Sequence, residues 1–186
     1  MLSTTDAIVL SLQPHSDKAH LLHAYTRAGG RINYMVYSLG RKNAAGKYNP
    51  LSLVQLTTDD RSIRTAQLTY VPASLTTDPY KRTIALFISE VLFHVLRHPM
   101  SDEPMFDFIA QSIEELDHTD APQNFHLSFL VGLAAKLGFA MEHEPVLPTS
   151  RAERQKQLRA LCAYFEEHVE TWQNPKSLDI LMEVFD

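Results

Sequence analysis

Up to Pro72 the apolar positions fall in short runs or alternate with polar ones; beyond it they recur at steps of three and four. Ala7-Ile8-Val9-Leu10-Ser11-Leu12 is an apolar, branched run that predicts a strand ending near Pro14. Residues 19–26 predict a second strand, and Gly29-Gly30 marks a hairpin turn. From Arg31 to Ser38 the pattern has period two. Ile32, Tyr34, Val36 and Ser38 share one face, and Arg31, Asn33, Met35 and Tyr37 the other. Residues 51–56 alternate again, 58–61 read as a turn, and 65–71 complete a fifth strand. Five short strands in so little chain suit a small closed or nearly closed barrel.

The remainder predicts helices. Asp78 can cap a helix whose first position is Pro79. Ile84, Phe87, Ile88, Val91, Leu92, Val95 and Leu96 then give it one apolar face as far as Pro99. Residues 104–116 repeat the period, with Met105, Phe108, Ile109, Ile113 and Leu116 inward. A third helix spans 122–137 and stops at Gly138. Helices at 151–171 and 177–185 follow a break at 142–148. The expected class is α+β, a five-stranded barrel domain over 1–72 followed by an α-helical domain over 73–186.

Charge sharpens this division. The chain carries a formal −5, but residues 1–72 hold eight Lys/Arg against four Asp/Glu, a net +4, and the rest hold nine against eighteen, a net −9. A basic first half suits a polyanion and an acidic second half does not. No apolar run reaches the roughly 18 residues of a membrane span, so the chain is expected to be cytoplasmic. One cysteine, Cys162, excludes an internal disulfide and a zinc site of several thiolates, and its apolar neighbours predict a buried thiol.

Candidate chemistry is concentrated in the first 72 residues. Lys18, Arg27, Arg31, Arg41, Lys42, Lys47, Arg61 and Arg64 fall at predicted strand ends or loops, interleaved with Tyr25, Tyr34, Tyr37 and Tyr48. Cations that follow a phosphate backbone, with rings that stack on bases, are what single-strand binders use. The same residues also fit a solvated surface with packed tyrosines. Glu90, His94 and His98 share one side of the first long helix, but one helix rarely closes a metal site, so structural histidines are expected. No catalytic signature is present, and the acidic clusters at 114–117 and 166–170 suit solvated helix faces. We expect neither an enzyme nor a cofactor.

In order, Asp6-Ala7-Ile8-Val9-Leu10, Asp17-Lys18-Ala19-His20, Thr26-Arg27-Ala28-Gly29-Gly30-Arg31 and Gly40-Arg41-Lys42 resemble the amino-terminal domain of the recombination mediator RecO, in its short Bacteroides-like form. Pro79 to Leu86, Ser89-Glu90-Val91-Leu92 and Leu137-Gly138-Phe139 resemble its helical part. The resemblance implies an OB-fold followed by an α-helical domain and a role in DNA repair and recombination through the RecF pathway. Single- and double-stranded DNA, RecR and single-strand-binding protein are the implied partners, and the protein would be nucleoid-associated. It implies DNA contact at Lys18, Arg27, Arg31, Arg41 and Lys42; charge and placement add Lys47, Arg61 and Arg64, with Tyr34 and Tyr37 as stacking rings. An adaptor or RNA-binding module on the same barrel is the alternative. Typical members carry an insertion, some with a cysteine zinc motif, where this chain passes directly through 144–148.

Overall fold

The computed structural model describes residues 1–37, 45–143 and 145–184. The chain divides into two compact units, Met1–Ala73 with Leu96–Ile113, and Ser74–Val95 with Glu114–Asp186. One boundary between the units falls between Ala73 and Ser74. The return of 96–113 to the first unit departs from the expectation, which places that segment in the helical domain.

In the first unit, strands β1 (Leu2–Ser16), β2 (Ala19–Thr26), β3 (Gly30–Val36), β4 (Leu53–Asp59) and β5 (Ser62–Tyr70) form a closed barrel in the order β1-β2-β3-β5-β4. β1 is long because it serves two neighbours. Its first half pairs with β4, from Leu2↔Asp59 to Ile8↔Leu53, and its second half with β2, from Ala7↔Thr26 to Ser16↔Ala19. The barrel closes through one parallel contact, Met35↔Ser62. Ala7, Val9, Leu22, Ala24, Tyr34, Val36, Tyr48, Val54 and Leu56 fill its interior. Ile8 and Leu10 point the other way yet are also buried, which explains why this strand reads as a continuous apolar run. The fold is the OB-fold that the resemblance implies.

In the second unit a short α1 (Ser74–Thr77) leads into α2 (Pro79–Val95). Asp78 caps α2 as expected, accepting the Tyr80 N–H at 2.8 Å. Lys81 is buried and donates to the Asp117 carbonyl at 2.7 Å. The helix α3 (Glu103–His118) runs through both units, and Phe106 rather than the expected Phe108 is its buried ring. After α4 (Phe125–Lys136), Gly138 adopts φ +92° and ends the helix. Ser150 and Glu153 then form a reciprocal capping box at the start of α5 (Arg151–His168), and α6 (Leu178–Val184) follows. Burial pushes the Cys162 thiol up to about 12, in line with a packed, unreactive cysteine. No helix among the described residues is long and apolar enough to cross a membrane.

The helix α2 ends at Val95, short of the expected Pro99. Residues before a proline resist helical geometry, and here their carbonyls have other donors. Arg31 donates its backbone N–H to the His98 carbonyl at 3.2 Å and a guanidinium N–H to the Leu96 carbonyl at 3.4 Å. His98 is therefore off the helix that carries Glu90 and His94, and the Glu90 carboxylate accepts the Ser177 N–H and hydroxyl at 2.9 and 2.8 Å. Among the described residues no three His, Cys, Asp or Glu converge to hold a metal ion.

Candidate nucleic-acid interface

The barrel sorts its basic residues to the two ends of the β2–β3 hairpin. At about 3.3 Å per residue, the eight residues of β2 hold those ends about 25 Å apart. Arg27 and Arg31 lie at the turn end, with Thr26↔Gly30 and Tyr25↔Arg31 the last pairs. Lys18 lies at the opposite end, in the β1–β2 turn.

The turn end is engaged by the chain itself. Arg27 places its guanidinium 4.3 Å over the Phe106 ring and 2.8 Å from the Asp107 carboxylate. Its carbonyl accepts the Ser101 hydroxyl at 2.9 Å. Arg31 is half-buried, and burial, followed by the nearby Arg97 charge, brings its guanidinium down to about 10. It also approaches His23 Nδ1 at 3.4 Å, and His23 meets the Asn33 carboxamide oxygen at 2.7 Å. Burial is the main cause holding the His23 imidazole below its ordinary value, opposed by the Asn33 hydrogen bond and aided by the Arg31 charge. Tyr25 stacks on Phe106 at 6.3 Å, and burial, with the Asp102 charge second, pushes its hydroxyl up to about 12. The turn end of the outer β2–β3 face is therefore covered by residues 96–107. Only the apolar period of α3 hints at this packing in the sequence.

The tyrosines separate by strand parity. Tyr34, expected as a stacking ring, is 3% exposed inside the barrel and presents no face to a base. Its alternation with Ile32 and Val36 places it there. Tyr48 is likewise internal. Tyr37, one residue past β3, is 59% exposed.

The open end gathers the remaining cations. His20↔Val36 places the β1–β2 turn on one side of the end of β3, and Met35↔Ser62 places the β4–β5 turn on the other. The Met35 N–H donates to the Arg61 carbonyl at 2.7 Å. Lys18 and Arg61 are exposed in these two turns, with Tyr37 between them in the register. Arg64 is exposed but paired with Asp59 at 2.9 Å, and Asp59 also accepts from the amino terminus. The Arg64 hydrogen bond, then that of the terminus, lowers the Asp59 carboxyl. Lys47 donates to the Ala66 carbonyl at 2.9 Å, which holds its ammonium against β5. Arg41 and Lys42 lie outside the described residues. In five-stranded barrels of this kind, oligonucleotides are taken by the face of strands 2–3 together with the loops joining strands 1–2 and 4–5.

Comparison with known proteins agrees with this architecture. The family profile described as Recombination protein O N terminal matches residues 1–72, and that described as Recombination protein O C terminal matches 76–144. The DNA repair protein RecO of Porphyromonas gingivalis is 31% identical over 150 residues, covering 74% of this chain and 61% of the relative. That of Phocaeicola vulgatus is 34% identical over 148 residues, with the same coverages. The chain thus spans 61% of the length of these relatives. The Christiangramia forsetii protein is 26% identical over 238 aligned positions that cover both chains in full. With both terminal-domain profiles matched in order on a closed five-stranded barrel and the helices that follow it, the chain belongs to the RecO family of recombination proteins.

Proposed function

We propose that this protein is a DNA-binding recombination mediator in RecF-pathway repair, annealing complementary single strands and, with RecR, helping RecA load onto DNA coated by single-strand-binding protein. The observation that carries the reading is the open end of the barrel, where Lys18 and Arg61 flank the exposed Tyr37 at the end of β3. Cations at the rim meet phosphates while a ring meets an unstacked base. Arg41 and Lys42, carried over from the resemblance, belong to the segment that follows Tyr37. The role is non-catalytic. Neutralising two backbones lowers their repulsion and leaves bases free to pair, and this needs no bond to be broken.

Annealing of complementary oligonucleotides, bare and coated with single-strand-binding protein, tests it across a salt titration. Acceleration that fades with salt is expected. The double variant Lys18→Glu/Arg61→Glu should lower the salt slope for single-stranded DNA by about 1.4, at about 0.7 for each phosphate no longer neutralised. Absence of annealing, or an unchanged slope, would overturn the assignment.

One observation favours a second reading, an adaptor working through protein contacts. In the helical unit, Leu127, Val131 and Ala135 of α4 with Met141 and Leu147, and the polar Ser128 and Gln157, line a groove of about 320 Å³. A variant that keeps partner capture and function after loss of DNA binding would decide for that reading.

A further inference from the structure

We infer that His15 and His20, on the arm formed by the end of β1 and the start of β2, join the DNA surface at the open end of the barrel and make its affinity rise as pH falls below neutral. The inference rests on the DNA-binding reading above and adds two residues to it.

The arm is an extension of the barrel wall. β1 leaves its partner β4 at Ile8 but continues to Ser16, so its last residues pair with β2 alone. Residues 13–18 are all exposed. The register passes from Pro14↔His20 to Ser16↔Ala19 with an irregularity between, which leaves His15 as the unpaired extra residue. Such bulges re-aim a side chain away from the ladder. On its other side His20 faces Val36, the residue before Tyr37. Both imidazoles thus belong to the end of the barrel that carries Lys18, Tyr37 and Arg61.

Charge explains why they matter. Among the described residues, the ionisable groups bordering the arm are Asp17 and Lys18 in its turn, Tyr37 at the end of β3, and Asp60 and Arg61 in the β4–β5 turn beyond it. Asp17 cancels Lys18, so with neutral imidazoles the arm carries no net charge. Protonation of both takes it to +2. Imidazole is the side chain that gains its charge just below neutral pH, and a phosphate beside it favours the charged form. By linkage, DNA is bound most tightly where both imidazoles carry their protons. His23 does not share in this, because it is buried on β2 between Asn33 and Arg31. His98 is exposed but lies at the opposite end, beside Gly30 and Arg31.

The test is binding of a labelled oligothymidylate to the whole chain by fluorescence anisotropy, with salt titrations at about pH 8 and about pH 6. The wild type should bind more tightly at the lower pH, with a slope steeper by up to about 1.4, or about 0.7 for each imidazolium. His15→Gln/His20→Gln should show the same slope at both pH values, whereas His98→Gln should behave as wild type. A pH-independent wild-type slope, or a pH effect that survives in the double variant, overturns the inference. Lys18→Glu/Arg61→Glu at about pH 8 separates this failure from that of the underlying reading. If that variant binds as wild type, the DNA surface lies elsewhere; if it binds weakly while the histidine variant keeps the wild-type difference between the two pH values, only the histidine assignment fails.

Discussion

Arg27 holds its guanidinium 4.3 Å above the ring of Phe106, a residue 79 positions along the chain. The Asp107 carboxylate completes the arrangement at 2.8 Å, and both partners stay partly exposed. A cation over an aromatic face contributes about 0.5–1 kcal/mol at an exposed site, and an exposed ion pair about 0–1 kcal/mol. Arg27→Ala should therefore destabilise the barrel unit by about 0.5–2 kcal/mol, read from hydrogen exchange of the β2 and β3 amides. The slope of DNA binding against salt should change by less than the roughly 0.7 of one phosphate contact. A slope reduced by that full amount, with amide protection unchanged, would make Arg27 a DNA ligand and the Phe106 stack incidental.

Tyr34 and Tyr37 are three residues apart in sequence and opposite in consequence. Tyr34→Ala removes a ring from the barrel core and should cost about 3–5 kcal/mol. Tyr37→Ala should leave stability within about 0.5 kcal/mol, because its ring is 59% exposed. If Tyr37 stacks on a base, the same change should weaken single-strand binding by about 1–3 kcal/mol. Denaturant titration and anisotropy on the pair of variants decide both points. Equal stability losses would contradict the parity assignment.

Strand parity is legible in the sequence, and it argues against Tyr34 as a stacking ring. Ile32, Tyr34 and Val36 alternate, and a side chain that shares a face with two core residues is carried inside with them. The succession of five strands and the helix starts at Pro79 and Arg151 are equally legible, because hairpin turns, proline and capping residues act over a few neighbours. The docking of 96–107 is not. Met105, Phe106, Ile109 and Ile113 reveal a buried helix face, but periodicity does not say what that face is buried against. The end of α2 at Val95 is likewise decided by a distant donor, Arg31. For the candidate site, counting cations by sequence cannot distinguish Lys18 and Arg61, which are open, from Arg27, Arg31 and Lys47, which are engaged within the protein.

Gly30 tests how closely the segment 96–107 fits the hairpin. It adopts φ +62°, and a Cβ built there would lie 2.3 Å from the Met100 carbonyl oxygen and 2.8 Å from that of His98. Both are backbone atoms and cannot rotate away. Gly30→Ala should cost about 3 kcal/mol, combining about 1–2 kcal/mol for the left-handed conformation with the displaced backbone. Gly46→Ala is the matched control, since nothing lies within 4 Å of a Cβ at that position; it should shift stability by less than about 1 kcal/mol. Comparable melting temperatures for the two variants would mean that residues 98–100 yield readily.

His126 makes the helical unit sensitive to acid. Its ring is 2% exposed and meets Phe87 edge-on at 6.3 Å. Burial, followed by the Arg154 charge, brings its imidazole down to about 3, well below the value near 6.5 of an unfolded chain. Between those values the unfolded state binds a proton that the folded state refuses. Stability from this group is therefore intact above about pH 6.5 and falls by about 1.4 kcal/mol for each unit of acidification below it. Trp172, the single tryptophan, lies buried in the same unit and reports its unfolding. Between about pH 7 and about pH 5, His126→Gln should lose about 2 kcal/mol less stability than the wild type in urea titrations followed by Trp172 fluorescence. An equal loss in both proteins would show that the acid response of this unit resides in its carboxylates and not in His126.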